Sequence, residues 1–189
     1  MTARYPRTML FVTAPALALP LDEESLVRSA GAGDRAAFGE LYNRYVRVVH
    51  AILLVRVPVS DAEDLVQEVF IAAFRKLPFL RSPGAFAGWL AAIARNRATE
   101  FHRAARRAND AANRPVDEPR AGHEEALVVL DAIRKLPEAY RETMILRLVE
   151  GMTGPEIADR TGLTPDSVRV NLSRGMKLLR ERLGGDRNV

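Results

Sequence analysis

The sequence predicts an all-α protein made of two small helical domains that a flexible linker joins. Valine and isoleucine recur with the 3.6-residue period of amphipathic helices, and stretches with the two-residue period of strands are nearly absent. Between Ala108 and His123 this periodicity is lost, and Asn, Asp, Pro, Gly and Arg dominate. We therefore expect a first domain over residues 22–107, a linker over 108–124 and a second domain over 125–184.

Four helices are predicted in the first domain, because four stretches carry apolar residues at i, i+3 and i+4 spacing. Capping residues, glycine and proline mark most of their ends. In order, the predicted helices run from Asp22 to Gly31, from Asp34 to Val57, from Ser60 or Asp61 to Leu77, and from Phe86 to Arg107.

The third predicted helix has one apolar and one acidic face. Its apolar stripe consists of Leu65, Val66, Val69, Phe70, Ala73 and Leu77. The opposite side carries Asp61, Asp64, Gln67, Glu68 and Ile71. An exposed acidic face suits a basic partner surface, although the residues alone are also compatible with a solvated helix face.

The fourth predicted helix is strongly basic and contains aromatic residues. It carries Arg95, Arg97, Arg103, Arg106 and Arg107 against a single Glu100, with Phe86, Trp89 and Phe101 between them. Basic residues that follow a backbone, together with aromatics that stack on bases, suit a DNA strand that has left the duplex. The composition also fits aromatics that belong to the core and arginines on a solvated face.

The second domain also reads as four helices. The predicted helices run from Glu124 to Leu136, from Ala139 to Val149, from Pro155 to Arg160 and from Pro165 to about Leu183. The last two form a helix-turn-helix pattern: Thr153 or Gly154 caps the first, Gly162 supplies a left-handed turn and Thr164 caps the second.

The outward side of the final helix contains residues that can pair with base edges and phosphates. Near its start we expect a DNA-contacting set of Thr164, Ser167, Arg169, Val170, Asn171, Ser173, Arg174 and Lys177. Arg169 and Asn171 are the preferred base readers, because such side chains bond bidentately to bases in the major groove. Arg174, Lys177 and Arg180 suit phosphates. An ordinary helical hairpin with a solvated basic face is the alternative.

Composition excludes several other classes of protein. The chain has 189 residues, a formal net charge of +4 and no cysteine, and its isoelectric point is about 9.8. Disulfides, thiolate metal sites and cysteine nucleophiles are therefore excluded, which is compatible with the cytoplasm. His50, His102 and His123 lack metal-ligand spacing, and no phosphate loop or nucleophile–base pair is visible. We expect no metal, no cofactor and no enzymatic activity.

The N-terminal segment 1–21 allows two interpretations. Arg4 and Arg7 precede an apolar run from Thr8 to Leu19, which has the outline of a secretory signal peptide. Pro15 within the run, and a DNA-binding chain after it, favour a flexible extension or a mis-assigned start. No stretch approaches the roughly 20 apolar residues of a membrane span, so no membrane insertion is expected.

Four segments in a fixed order resemble one known family. They are "GDRAAFGELYNRYVRVV", "DAEDLVQEVFIAAFRKL", "FAGWLAAIARNRATEFHRAARR" and, after the linker, "LPEAYRETMILRLVEGMTGPEIADRTGL". Together they resemble an extracytoplasmic-function (ECF) sigma factor of the sigma-70 family over roughly residues 22–183. The resemblance implies a protein that binds core RNA polymerase, directs it to −35 and −10 promoter elements and assists promoter melting.

The same resemblance implies roles for matching positions. The acidic face of the third helix corresponds to the surface that binds the clamp of the largest polymerase subunit, and the second domain to the part that meets the flap of the second largest. The resemblance assigns contact with the −10 element to Phe79, Trp89, Arg95, Asn96, Arg97, Arg103, Arg106 and Arg107. Within this set, Asn96 is expected to read an extruded base, and Trp89 lies either in the core or facing a base. The resemblance assigns contact with the −35 element to the final helix. It also implies an anti-sigma factor as a partner.

The main alternative is a helix-turn-helix regulator that binds duplex DNA without polymerase. Co-purification with core polymerase, followed by transcription, separates the two. The recognition helix also departs from the family pattern at Val170, Asn171 and Met176, which leaves the preferred −35 sequence open.

Overall fold

The computed structural model describes residues 22–111 and 124–185. The eight α-helices of these ranges are α1 (Glu23–Gly31), α2 (Arg35–Leu54), α3 (Val59–Lys76), α4 (Phe86–Ala111), α5 (Glu124–Arg134), α6 (Glu138–Leu148), α7 (Gly154–Thr161) and α8 (Pro165–Gly185). Two short 3₁₀ turns, Leu77–Phe79 and Pro83–Ala85, connect α3 to α4. Every regular element in the described ranges is helical, which confirms the predicted all-α class.

Several predicted helix boundaries were wrong by a few residues. Helix α3 begins at Val59 rather than at Ser60 or Asp61, because Pro58 is its N-cap and no side chain caps it. Helix α4 continues to Ala111, past the predicted end at Arg107, since neither glycine nor proline interrupts the chain there. The rest of the predicted linker, residues 112–123, lies outside the described residues, as do the extension 1–21 and the tail 186–189.

Helices α1 to α4 enclose the first core. The apolar stripe predicted for α3 is buried. The apolar side of α2 is also buried, apart from the half-buried Phe38; its fully buried residues include Leu41, Tyr45, Val48, Val49 and Ile52. Tyr45 of α2 meets Phe86 of α4 edge to face, with ring centroids 5.3 Å apart. Fully burying one such large apolar side chain stabilises a fold by about 1.5–3 kcal/mol, so this core fixes α3 and α4 side by side.

The helix-turn-helix is held by local hydrogen bonds. Thr153 and Glu156 form a reciprocal capping box at the start of α7, and hydrogen bonds from Thr153 keep the pKa of the Glu156 carboxyl below its usual value. Gly162 follows α7 with φ 71°, in the left-handed region that favours glycine. The Thr164 hydroxyl then accepts the Ser167 N–H at 3.2 Å and caps α8. All three sequence-predicted features of this unit are confirmed.

The two domains pack against each other through α2 and α4 on one side and α6 and α7 on the other. The backbones of the two domains lie close together where Gly88 of α4 faces Gly162 of the helix-turn-helix. A Cβ atom added at Gly162 would lie 2.7 Å from the Gly88 Cα, which no real side chain tolerates. The two domains were predicted from the sequence, but this contact between them was not.

Candidate polymerase and promoter interfaces

The acidic face of α3 is presented as the sequence predicts. Asp64, Gln67 and Glu68 are exposed, and Ile71 is 51% exposed among them. Asp61 is half-buried and accepts the Ser60 hydroxyl at 3.0 Å. The opposite stripe of the same helix is buried in the first core, so this face is fixed in orientation and open to a partner.

Two aromatic residues beside this face were missed by sequence reasoning. Tyr42 of α2 and Phe74 of α3 are each more than a third exposed. Tyr42 lies against Phe70 with ring centroids 4.6 Å apart, and Phe74 meets Phe38 at 4.9 Å. Tyr42 and Gln67 also line one open cavity of about 330 Å³. The signal was present in the sequence as aromatic positions at the margin of each buried stripe.

The aromatic residues near α4 take three different environments. Phe86 is fully buried and completes the first core, so of the two interpretations that its sequence position allowed, the core residue is the one that the structure shows. Trp89 is half-buried, and its ring is tilted against Phe86 at 5.8 Å. Phe101 is also half-buried against the core. Phe79, in the turn before α4, is 81% exposed while its neighbour Leu77 is buried.

The predicted −10 residues of α4 differ in what their side chains contact. Asn96, Arg103, Arg106 and Arg107 are exposed. Arg97 bonds to Glu100 at 2.9 Å and lies 3.9 Å from Glu68 of α3. Arg95 differs, because its guanidinium is directed into the second domain, where Nε and Nη2 donate to the two carboxylate oxygens of Glu142 at 3.0 and 2.7 Å. This hydrogen bonding raises the pKa of the Arg95 side chain.

The predicted DNA-contacting residues of α8 also divide into two groups. Ser167, Arg169, Ser173, Arg174 and Lys177 are exposed. Arg169 lies 3.3 Å from Asp166, but both are so exposed that this pair contributes little. Val170 and Asn171 are half-buried. They line a cavity of about 530 Å³ that Arg56 and Arg95 of the first domain close from the other side.

Among residues 22–111 and 124–185, no group of three or more His, Asp or Glu side chains could hold a metal ion. In the same part of the chain, no helix is both long and apolar enough to cross a bilayer.

Comparisons with known proteins agree with this arrangement. The family model for Sigma-70 region 2 matches residues 41–108, and that for Sigma-70 region 4 matches residues 126–179. The ECF RNA polymerase sigma-E factor of Haemophilus influenzae is 31% identical over 185 residues, which cover 88% of this chain and 98% of that protein. The chain belongs to the ECF sigma factors. The corresponding sigma-E factor of Escherichia coli K12 is 30% identical over 84% of this chain and 93% of its own length.

Solved structures place this sigma factor in the same fold. CnrH, solved in complex with the cytosolic domain of CnrY, is 28% identical with a TM-score of 0.64 and covers 87% of this chain and 98% of its own. A sigma factor RpoE from Bartonella quintana, solved with the anti-sigma factor NepR, is 22% identical with a TM-score of 0.60, over 78% of this chain and 96% of its own. This second likeness concerns the fold alone.

Family membership establishes the activity. This sigma factor directs RNA polymerase to initiate transcription at specific promoters, and it is not an enzyme. A helix-turn-helix regulator that works without polymerase is thereby set aside, since region 2 is present beside region 4.

Proposed function

We propose that this sigma factor holds core polymerase mainly through the acidic face of α3. The observation that carries the proposal is the exposure of Asp64, Gln67, Glu68 and Ile71 on one side of a helix whose other side is buried. This face suits the clamp of the largest polymerase subunit, provided that the clamp presents a basic surface. Tyr42 and Phe74 lie beside this face and add exposed apolar area to it, and aromatic residues are enriched at protein–protein interfaces.

In this proposal, the neighbouring helix α4 and the turn before it hold the −10 element as a single strand. Phe79 offers an open aromatic surface for one extruded base, and Asn96 offers an amide that can pair with a base edge. Arg103, Arg106 and Arg107 follow along the exposed side of α4 toward the phosphates.

Energetics explain why capture of the −10 strand depends on polymerase. Opening ten base pairs costs on the order of 14 kcal/mol at about 1.4 kcal/mol per step. One stacked base returns only about 1–3 kcal/mol. Region 2 can therefore trap a base or two, whereas the enzyme held on α3 supplies the remaining free energy.

In the same proposal, region 4 reads the −35 element through the first half of α8. Arg169 is the strongest candidate base reader, because it is exposed near the N-terminus of the helix. The exposed Leu148 and Val149 at the end of α6 suit an apolar contact with the flap of the second largest polymerase subunit.

An anti-sigma factor is a further proposed partner. CnrH, the structural relative at 28% identity, was solved with the cytosolic domain of another protein bound. Since polymerase and chromosome are in the cytoplasm, we place this sigma factor there as well.

The deciding experiment is run-off transcription with purified core polymerase and a promoter library. The sigma factor should redirect the enzyme to a set of promoters that share a −35 and a −10 sequence. Failure to join the core enzyme, or transcripts without shared upstream sequences, would contradict the proposal.

Arg169→Ala should weaken binding to the cognate −35 element by about 1–3 kcal/mol and relax the preference at one base position. The measurement is transcription from promoters randomised at the −35 element, with Arg180→Ala as a control for a residue assigned to phosphates. An unchanged sequence preference would remove Arg169 from the base readers.

A further inference from the structure

Segment 1–21, which precedes α1, combines positive charge with apolar residues. It contains Arg4 and Arg7 but no aspartate or glutamate. Residues 8–19 are mostly apolar, and residues 9–12 form an unbroken run of Met, Leu, Phe and Val. Such a segment suits a surface that offers carboxylates beside exposed apolar groups, because apolar burial and opposite charge then act together.

The groove between α2 and α3 is a surface of this kind. We call it the α2–α3 groove; it is an open cavity of about 330 Å³ lined by Tyr42, Val46, Arg47, His50, Glu63, Val66 and Gln67. Tyr42 is more than a third exposed, and Val46 is half-buried. Glu63 is exposed next to the acidic face of α3. Arg47 also carries a positive charge, but its guanidinium is paired with Glu150 at 2.6 Å. The groove therefore presents apolar surface and a carboxylate side by side.

The charges of other exposed surfaces favour this groove as the place where segment 1–21 binds. Helix α4 exposes Arg103, Arg106 and Arg107, and the outward side of α8 is basic as well. Both surfaces repel a segment that has two arginines and no acidic residue, whereas α3 exposes Asp64 and Glu68 beside the groove.

We propose that segment 1–21 binds to the α2–α3 groove of its own chain and covers the adjacent acidic face of α3. Its apolar residues 9–12 pack on Tyr42 and Val46, and its two arginines face the carboxylates of α3. The segment then competes with core polymerase for one surface. The inference rests on the proposed role of α3 in polymerase binding, but the bound segment itself is measurable without polymerase.

The segment is long enough to reach the groove. It is joined to Asp22, the N-cap of α1. The next residue, Glu23, lies 3.8 Å from Arg160, whose guanidinium lies over the ring of Tyr45. The start of α1 is therefore level with Tyr45, about one turn of α2 from Tyr42. A helix with its side chains is about 10–12 Å wide, so a path around α2 needs on the order of 20 Å, or about six extended residues. The remaining residues of the segment include both arginines and the apolar run.

Because the segment and the groove belong to one chain, a weak contact is sufficient. A short tether gives an effective concentration on the order of 1 mM. A contact with an intrinsic dissociation constant of about 0.1–0.2 mM is then occupied in roughly 80–90% of the molecules. The apparent dissociation constant for core polymerase is raised by the reciprocal of the open fraction, which is about five- to tenfold.

Cysteine cross-linking of the full-length chain tests the bound segment, because the chain has no cysteine of its own. Thr8→Cys is combined with Gln67→Cys in the groove or, as the control, with Glu40→Cys. Glu40 is exposed and lies about 160° around α2 from Tyr42. An undirected segment would reach both positions at similar rates. Under oxidised glutathione, the pair that includes Gln67→Cys should form its disulfide faster, and adding Arg4→Glu and Arg7→Glu should remove this advantage.

Release of the segment should tighten binding to core polymerase about five- to tenfold, as expected if the covered form is 80–90% populated. Leu10→Ser together with Phe11→Ser releases it by removing apolar contact, without a change in net charge. Arg4→Glu together with Arg7→Glu releases it by charge. A binding titration of each full-length variant with purified core polymerase measures the gain.

The charge reversal needs a control with the same change in net charge. Lys135→Glu together with Arg182→Glu provides it, because both residues are exposed and lie in the second domain. This control should alter the affinity for polymerase by less than about twofold.

Equal cross-linking rates for the two cysteine pairs would overturn binding of the segment to the groove. Cross-linked dimers in place of the intramolecular product would assign the groove to the segment of a second copy and overturn the contact within one chain. A preference for position 67 without tighter polymerase binding in the released variants would overturn the covering of the polymerase surface. Normal polymerase binding by a chain with Asp64→Lys and Glu68→Lys would instead count against the proposed function.

Discussion

Replacing both Asp64 and Glu68 by lysine should abolish recruitment of core polymerase by this sigma factor. Both carboxylates are exposed on the face of α3 that we assign to the clamp. Reversing them would set two positive charges against a surface suited to negative ones, and like-charge contacts at an interface cost several kcal/mol. The affinity should therefore fall by about 100-fold or more. Co-elution with core polymerase and a binding titration measure the loss.

The control for this experiment must carry the same change in net charge. Glu40→Lys together with Asp131→Lys provides it, because both carboxylates are exposed and lie outside the α3 face. This pair should bind core polymerase within about threefold of the unsubstituted chain, since exposed pairs contribute only about 0–1 kcal/mol. Equal losses in the two variants would assign the effect to net charge, and an intact affinity in the α3 variant would move the polymerase site elsewhere.

Patterns among neighbouring residues were sufficient to predict much of this structure from the sequence. The burial of Leu65 and Val69, and the exposure of Asp64 on the same helix, follow from a 3.6-residue period that is visible in the sequence. Gly162 and Thr164 are similarly local, because the turn and the cap depend on adjacent residues. These features determine which helices form and which side of each faces its own core.

Contacts between distant segments could not be predicted in this way. Arg95 and Glu142 are 47 positions apart, and each looks like an ordinary surface residue of an amphipathic helix. Their pairing depends on how two finished domains meet, for which a helical period contains no signal. Consequently Arg95 was placed among the free DNA contacts, whereas in the structure it belongs to the interdomain interface.

Phe79 and Phe86 are both phenylalanines near the start of α4, but one is exposed and the other is fully buried. Substituting each by alanine should therefore have different effects. Phe86→Ala should destabilise region 2 by about 3–5 kcal/mol, because it removes a fully buried ring from the first core. For a domain of this size, such a loss lowers Tm by roughly 12 °C or more. Differential scanning calorimetry of the full-length chain measures it.

Phe79→Ala should leave the stability of the fold nearly unchanged but reduce transcription. Its ring is 81% exposed, so the free energy of unfolding should change by no more than about 0.5 kcal/mol, as is usual for surface substitutions. Tm should therefore stay nearly the same. Loss of one stacked base would cost about 1–3 kcal/mol of strand capture, which corresponds to roughly five- to 150-fold fewer transcripts from a duplex promoter. A template already unpaired across the −10 element should recover part of this loss, because the cost of opening is then removed. Undiminished transcription from the Phe79→Ala variant would move the base-holding surface from this turn to α4, with Trp89 as the next aromatic residue to test. A large fall in Tm would show instead that Phe79 supports the fold.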